Sequence, residues 1–279
     1  MGMMLSQDEV LARSGELPAF PKVVIRLLEA IDDDSATIST LVHHVESDPV
    51  VTARVMSQAN AVAMGAHPGR VITNTETAAS MVGVARIREI VLAVSLAGFA
   101  HKCRVSTSYW EHSVAVGVCV QELAKHTRQS LDYAFVAGLL HDIGQLWLAS
   151  FYPQEYAWVR ESVTAGVMPV AVVEREQFGV DHCQIGAWMV EQWELPASMA
   201  AALLYHHAPD ECAGDPLVAA THVGEVLANA LDLGGRPESQ VVYLSQEACA
   251  TVGIDWNEDL NYFFGKLEAR ARHAVQAFR

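Results

Sequence analysis

The run Phe135-Val136-Ala137-Gly138-Leu139-Leu140-His141-Asp142-Ile143-Gly144 sets two ionisable residues inside an otherwise apolar stretch. Burying either one without a partner is expensive. An adjacent histidine and aspartate can both turn toward one divalent cation, the imidazole through a neutral ring nitrogen and the carboxylate through oxygen. As an isolated dipeptide the pair could equally satisfy itself within a core. His112 shifts that balance, because it shares a helical stripe with Val116, Cys119 and Leu123 and so faces inward. His182 opens a predicted helix, and His206-His207 close another, where histidine can also simply complement the helix C-terminus. Five histidines and an aspartate on helices able to converge in a bundle are better explained by a metal or phosphate site than by six separate accidents. No nucleophilic serine or cysteine motif, phosphate-binding loop or dinucleotide fingerprint accompanies them.

The elements that must position these residues are helices. Apolar residues recur at helical spacing almost throughout, and strand-like alternation is hard to find, so the fold is expected to be all-α. Pro21 starts a helix over residues 22–31, which Asp32-Asp33-Asp34-Ser35 stops. A second helix is expected at 38–47, and Asp48-Pro49 opens a third that carries Val50, Ala53, Arg54, Val55 and Asn60. Two more, at 75–81 and 85–97, flank Gly83. Beyond a composition shift at 101–108, Ser108 and Glu111 have the spacing of a capping box. Further helices are expected at 133–152, 169–177, 182–193, 196–207 and 216–231, with helical character again over 240–279. The expected organisation is a short extension (1–16), an N-terminal helical lobe (17–105), a second helical lobe (106–235) and a C-terminal helical extension (236–279).

Composition narrows the function classes. The 279 residues carry a net charge of −15, with no local basic patch, which disfavours nucleic acid as a partner. Five scattered cysteines without a C-x-x-C pair indicate neither a disulfide framework nor a zinc ribbon and suit a reducing cytoplasm. The N-terminus lacks the pattern of a signal peptide, and the apolar runs are too short or interrupted to predict a membrane span. The expectation is a cytoplasmic protein.

His112, the His141-Asp142-Ile143-Gly144 segment, His182 and His206-His207 resemble the ordered ligand set of the HD metal-dependent phosphohydrolase superfamily. The remainder is similar to HDOD domains in particular. The likeness lies in Leu17-Pro18-Ala19-Phe20-Pro21, the block from Ser47-Asp48-Pro49 through Arg54 to Asn60, and Ile72 through Ala78 and Gly83 to Leu92. The resemblance implies an HD-like helical bundle with an additional N-terminal helical lobe, usually serving bacterial signal transduction and often without demonstrated catalysis. It also implies a metal set of His112, His141, Asp142 and, aligned with the superfamily's final aspartate, Glu225. His182, His206 and His207 would complete a second metal position or contact phosphate. Two departures bear on activity. Gln145 stands where active phosphodiesterases often carry lysine, and Ala208-Pro209 follows His206-His207 where cyclic di-GMP phosphodiesterases have Gly-Tyr-Pro.

Two functions follow as expectations. The first is a regulatory protein acting through protein or ligand binding, with a signalling protein partner and a phosphate-containing ligand. The alternative is a metal-dependent phosphohydrolase acting on a nucleotide or other phosphoester, with Asp142 as its candidate catalytic group. In the first the HD-like site is structural, vestigial or a ligand sensor; one or two divalent metal ions and no organic cofactor are the candidate cofactors, and little hydrolysis of cyclic di-GMP is expected. The exposed face near Gly83, with Arg86, Arg88 and Glu89, is the expected partner surface.

Overall fold

The computed structural model describes residues 3–29, 42, 45, 51–53, 55–57, 59–60, 72–103, 106–166, 168–234, 243–255 and 260–278. Among these residues there is no strand, and the architecture is all-helical as the periodicity predicts. The chain forms two compact units. One comprises residues 1–17 together with 105–279, and the other comprises residues 18–104.

From the N-terminus the described helices begin with α1 (Gln7–Ser14), α2 (Lys22–Glu29), α3 (Thr75–Val82) and α4 (Val84–Cys103). Helices α2, α3 and α4 belong to the smaller unit. Its core includes Phe20, Val24, Leu28, Ile87, Leu96 and Phe99, with the Phe20 and Phe99 rings edge to face at 5.5 Å. Asn60, whose segment is helical, ties down Ile72 twice: its Nδ2 donates to the Ile72 carbonyl at 3.1 Å, and its Oδ1 accepts from the Ile72 N–H at 2.7 Å. Gly83 ends α3 with φ +86°, a conformation that side-chain-bearing residues rarely adopt. The helix expected at 38–47 lies largely outside the described residues, as do the side chains of Arg86 and Glu89.

Among the described residues, the larger unit holds α1 and ten further α-helices. These are α5 (Thr107–Leu123), α6 (Leu131–Leu140), α7 (Ile143–Phe151), α8 (Pro153–Thr164), α9 (Val170–Phe178), α10 (His182–Gln192), α11 (Ala197–Tyr205), α12 (Pro216–Ala230), α13 (Gln246–Val252) and α14 (Asn261–Phe278). Helix α5 is the axis, packed against α6, α12 and α14. Small residues let these helices approach closely. A Cβ on Gly138 would sit 2.8 Å from the Gly117 Cα, and one on Gly224 would sit 2.6 Å from Val120 Cγ2. The stretch Leu131–Phe151 is apolar enough by length and composition to cross a membrane, and 78% of its most apolar window is buried inside the protein.

Several elements differ from the expectation. Ser106, not Ser108, caps α5, its side chain accepting from the Tyr109 N–H. The single helix expected at 133–152 is two helices, interrupted at His141-Asp142. Helices α1 and α8 were not expected. The terminal stretches are integral parts of the larger unit. Met3 and Leu5 donate backbone hydrogen bonds to the carbonyls of Gln177 and Phe178, both at 2.8 Å, and α1 packs on α10. At the other end, α14 lies along α5, where buried Glu122 accepts from Lys125 (2.5 Å), Lys266 (2.9 Å) and Arg270.

Candidate metal centre

Four helix ends and one helix face build the centre. His112 lies on the inward face of α5 and is buried. Helix α6 stops at Leu140; His141 is its C-cap, and the His141 ring Nδ1 bonds the Gly138 carbonyl at 2.7 Å, satisfying an acceptor that the helix end leaves open. Asp142 then sits at φ −100°, ψ 13° as the first residue outside α7. The interruption between two apolar helices is therefore what turns both side chains into the interior.

Helix α10 starts at His182 behind the Asp181 cap, which accepts from the Gln184 N–H at 2.9 Å. Glu174 of α9, fully buried, receives the His182 backbone N–H at 2.9 Å and the ring Nδ1 at 2.5 Å on the same oxygen. Gly144 lets α7 lie directly against this helix start, since a Cβ there would fall 2.1 Å from the His182 carbonyl oxygen. His206 repeats the arrangement of His141: it caps α11, and its Nδ1 bonds the Leu203 carbonyl at 2.7 Å. A ring nitrogen beside a carbonyl oxygen carries the proton, so Nε2 of His141 and Nε2 of His206 each present a lone pair.

These nitrogens converge on one carboxylate. Asp142 Oδ2 lies 3.4 Å from His141 Nε2 and 4.0 Å from His112 Nε2. Its other oxygen, Oδ1, lies 3.3 Å from His182 Nε2 and 3.9 Å from His206 Nε2. The Cys183 thiol adjoins the second pair, 3.5 Å from His182 Nε2 and 4.0 Å from His206 Nε2. Two sets of mutually close donors result: His112, His141 and Asp142, and His182, Cys183, His206 and His207. The donor chemistry fits a divalent cation, because nitrogen, carboxylate and thiol donors with second-sphere partners are the usual equipment of such sites. Buried His141 Nε2, which has no hydrogen-bond partner among the described residues, gives the same indication.

Glu225, expected beside His112, His141 and Asp142, lies nearest the second set. Its carboxylate is 3.6 Å from His207 Nδ1 and 4.0 Å from His206 Nε2. His222, on the same helix, has both ring nitrogens engaged in scaffolding: Nδ1 donates to the His206 carbonyl at 2.7 Å, and Nε2 accepts from the Ser245 N–H at 3.1 Å. Gln145 donates from Nε2 to Asp142 Oδ1 at 2.9 Å, so a neutral amide holds the carboxylate where a lysine would bring charge.

Electrostatics divide the histidines. Burial opposes a charge on His141, but Asp142 and Glu225 outweigh it and hold its pKa above the ordinary imidazole value. His182 is likewise carried upward, against burial, by Cys183 and Glu174. Burial and the neighbouring His207 push His206 well below the ordinary value, and burial also lowers His207 and His222. Burial pushes the Cys183 thiol up to about 12, with His182 pulling the other way.

A cavity of about 470 Å³ opens beside the centre, lined by His112, Asp142, Gln145, His207 and Glu225 and, further out, by Arg160 and Arg175. That volume is in the range of small-molecule sites. Arg175 is also paired with Asp181. Sequence reasoning missed Glu174, Cys183 and the two arginines. Glu174 was findable, since it interrupts the inward stripe Ala171, Val173 and Phe178 of α9 with a charge.

An all-helical protein with a buried histidine–aspartate centre at helix ends is the class that fold and site define. Residues 17–209 match the HDOD domain, and the chain belongs to the HDOD family. It is similar to an HDOD domain protein of unknown function from Geobacter sulfurreducens (TM-score 0.76, 22% identity, 96% of each chain covered). A second similar structure is a candidate phosphohydrolase from Shewanella amazonensis SB2B (TM-score 0.67, 23% identity, covering 97% of this chain and 98% of that one). A third, from Marinobacter aquaeolei VT8 and named as a candidate signal transduction protein, has a TM-score of 0.71 at 22% identity and covers 99% of this chain and 62% of that one. Among curated sequences, an uncharacterized protein of Treponema pallidum (strain Nichols) is 24% identical over 240 residues, which is 82% of this chain; the match spans only 45% of that relative's length.

Proposed function

We propose that this protein is a regulatory member of the HDOD family. In this reading the centre holds one or two divalent cations, the cavity takes a phosphate-containing ligand, and occupancy rather than turnover is passed to a signalling protein partner. The observation that carries it is orientation. The Nδ1 atoms of His141, His182 and His206 are committed to the Gly138 carbonyl, to Glu174 and to the Leu203 carbonyl, leaving three Nε2 atoms directed at the two oxygens of Asp142. His112 adds a fourth imidazole, and His207 and Glu225 border the cavity.

A divalent cation, when bound, supplies Lewis acidity to a phosphate oxygen or to a water. The protein's residues orient and select. Gln145 fixes the rotamer of Asp142 through its amide. Arg160 and Arg175 bring positive charge to a cavity wall that also carries the carboxylates of Asp142 and Glu225. The neutral side chain at Gln145 favours binding over turnover, because it adds no charge where negative charge would build on a reacting phosphate.

The second reading is a metal-dependent phosphohydrolase using His112, His141, Asp142 and Glu225, and it is favoured by the opening of the centre onto a ligand-sized cavity. Metal analysis of protein purified without chelators, followed by a phosphoester panel, separates the two. Stoichiometric metal that is lost in His141→Ala, with no turnover, supports the regulatory reading. Turnover abolished by Asp142→Ala replaces it with the hydrolase, and a chain that takes up no divalent cation refutes both.

A further inference from the structure

Cys183 has no part in the reading above, yet it lies among its donors. The residue is 3% exposed at the second position of α10. Its Sγ is 3.5 Å from His182 Nε2 and 4.0 Å from His206 Nε2, and those nitrogens are 3.4 Å apart. A tetrahedral ion bound by imidazole at about 2.05 Å and thiolate at about 2.3 Å separates nitrogen from nitrogen by about 3.4 Å and sulfur from nitrogen by about 3.6 Å. His207 is the fourth donor, with a ring nitrogen within 4.8 Å of each of the other three ligand atoms, while Asp142 Oδ1 lies 3.3 and 3.9 Å from the same two histidine nitrogens.

The aim of the histidines does not depend on the thiol. Glu174 directs His182, and the Leu203 carbonyl directs His206. Wholly buried His141 Nε2, without a hydrogen-bond partner among the described residues, faces the same carboxylate through its other oxygen.

We propose that Cys183 is a metal ligand and that His182, Cys183, His206 and His207 form a nitrogen–sulfur site selective for a thiophilic divalent ion such as Zn²⁺ over Mg²⁺ or Mn²⁺. The inference rests on the cation-binding reading and adds to it a ligand and a preference. Soft thiolate favours zinc, while magnesium and manganese sites are built from oxygen. On binding, the S–H bond breaks, the sulfur electron pair forms the bond to the cation, and the proton leaves to solvent. The oxidation states of the metal and the cysteine are unchanged.

The test uses the full chain, stripped with chelator and reloaded with Co²⁺ as a spectroscopic substitute for zinc. The readouts are bound cobalt, by elemental analysis, and the thiolate-to-cobalt charge-transfer absorption in the near ultraviolet. The expected result is cobalt bound with the band present. Cys183→Ser and Cys183→Ala should bind cobalt without it, and their Zn²⁺ affinity should fall at least about tenfold, since even second-sphere losses cost 10–100-fold. Their Mn²⁺ affinity should change less. Cobalt bound to the unmodified chain without the band overturns the assignment of Cys183 and leaves the cation reading standing. A band that persists in Cys183→Ala places the thiolate elsewhere and overturns it too, while a chain that binds no cobalt overturns both. The readout on the unmodified chain does not depend on either variant folding.

Discussion

Replacing Gly144 with alanine is ordinarily a mild change inside a helix, and the structure makes it severe here. The new Cβ would lie 2.1 Å from the His182 carbonyl oxygen and 2.8 Å from both its carbonyl carbon and its Cα. All three are backbone atoms, so no rotamer change relieves the contact. To reach the 3.4 Å at which ordinary contact begins, α7 and α10 must separate by about 1.3 Å. Overpacking of this kind costs about 1–3 kcal/mol, and the upper half applies where only backbone can yield. Alanine returns at most about 0.5–1 kcal/mol through helix propensity. A net loss of about 1–2 kcal/mol should lower Tm by about 2–8 °C in a unit of this size. The separation also draws His182 from Asp142, now 3.3 Å away, so metal affinity should fall with stability. Gly265→Ala is the matched control: it lies in α14 with nothing within 4 Å of its Cβ, and it should gain about 0.5–1 kcal/mol. Thermal melts of chelator-treated protein followed by circular dichroism would measure both. A Gly144→Ala protein that melts at or above the unmodified one would refute the close approach and the positioning built on it.

Glu174→Gln should reduce metal affinity by about 10–100-fold while leaving the helical signal intact, because it weakens the acceptor that orients His182; competition with a chromophoric chelator measures this, and unchanged affinity removes Glu174 from the centre. Chelator treatment should lower Tm, and readdition of cation at about a hundredfold excess over Kd should return about 2.7 kcal/mol; a melting curve indifferent to both would count against cation binding. In metal-free protein, His206 and His222 are held below the ordinary value of 6.5, so their contribution is present above pH 6.5 and is lost as pH falls toward their folded values. His141 and His182 are raised, so theirs is present below pH 6.5 and is lost as pH rises through their folded values. Tm of the stripped protein should therefore peak near pH 6.5, and a curve still climbing above pH 8 would contradict these assignments.

Much of this centre is legible in the sequence because it depends on local rules. The stripe shared with Val116, Cys119 and Leu123 turns His112 inward, and prolines mark the starts near α9, α11 and α12. The interruption at His141-Asp142 is hidden because apolar residues continue on both sides without a glycine or proline between them. Ser106 and Ser108 are equally good caps by residue type, and only backbone geometry chooses Ser106. The docking of residues 3–5 on Gln177 and Phe178 joins segments far apart in the chain and leaves no periodic signal in either. Glu225 shows the limit of alignment: which histidines it meets depends on the reach of its side chain.

The carboxylate of Glu122 separates two lengths of chain that are easily taken as one. The stretch by which the family is recognised ends at residue 209 and includes every histidine of the centre. A polypeptide cut there would look complete by signature. It would nevertheless lack Lys266 and Arg270, leaving Lys125 as the remaining partner among the three cations that now neutralise Glu122. Removing partners from a buried ion costs about 3–5 kcal/mol, a large share of a domain's whole stability. It would also lack α12, one wall of the cavity. The heritable mark of this family is thus shorter than the physical object that carries it, and gene fragments designed on the mark should yield aggregated protein where those extended through residue 278 yield a folded one.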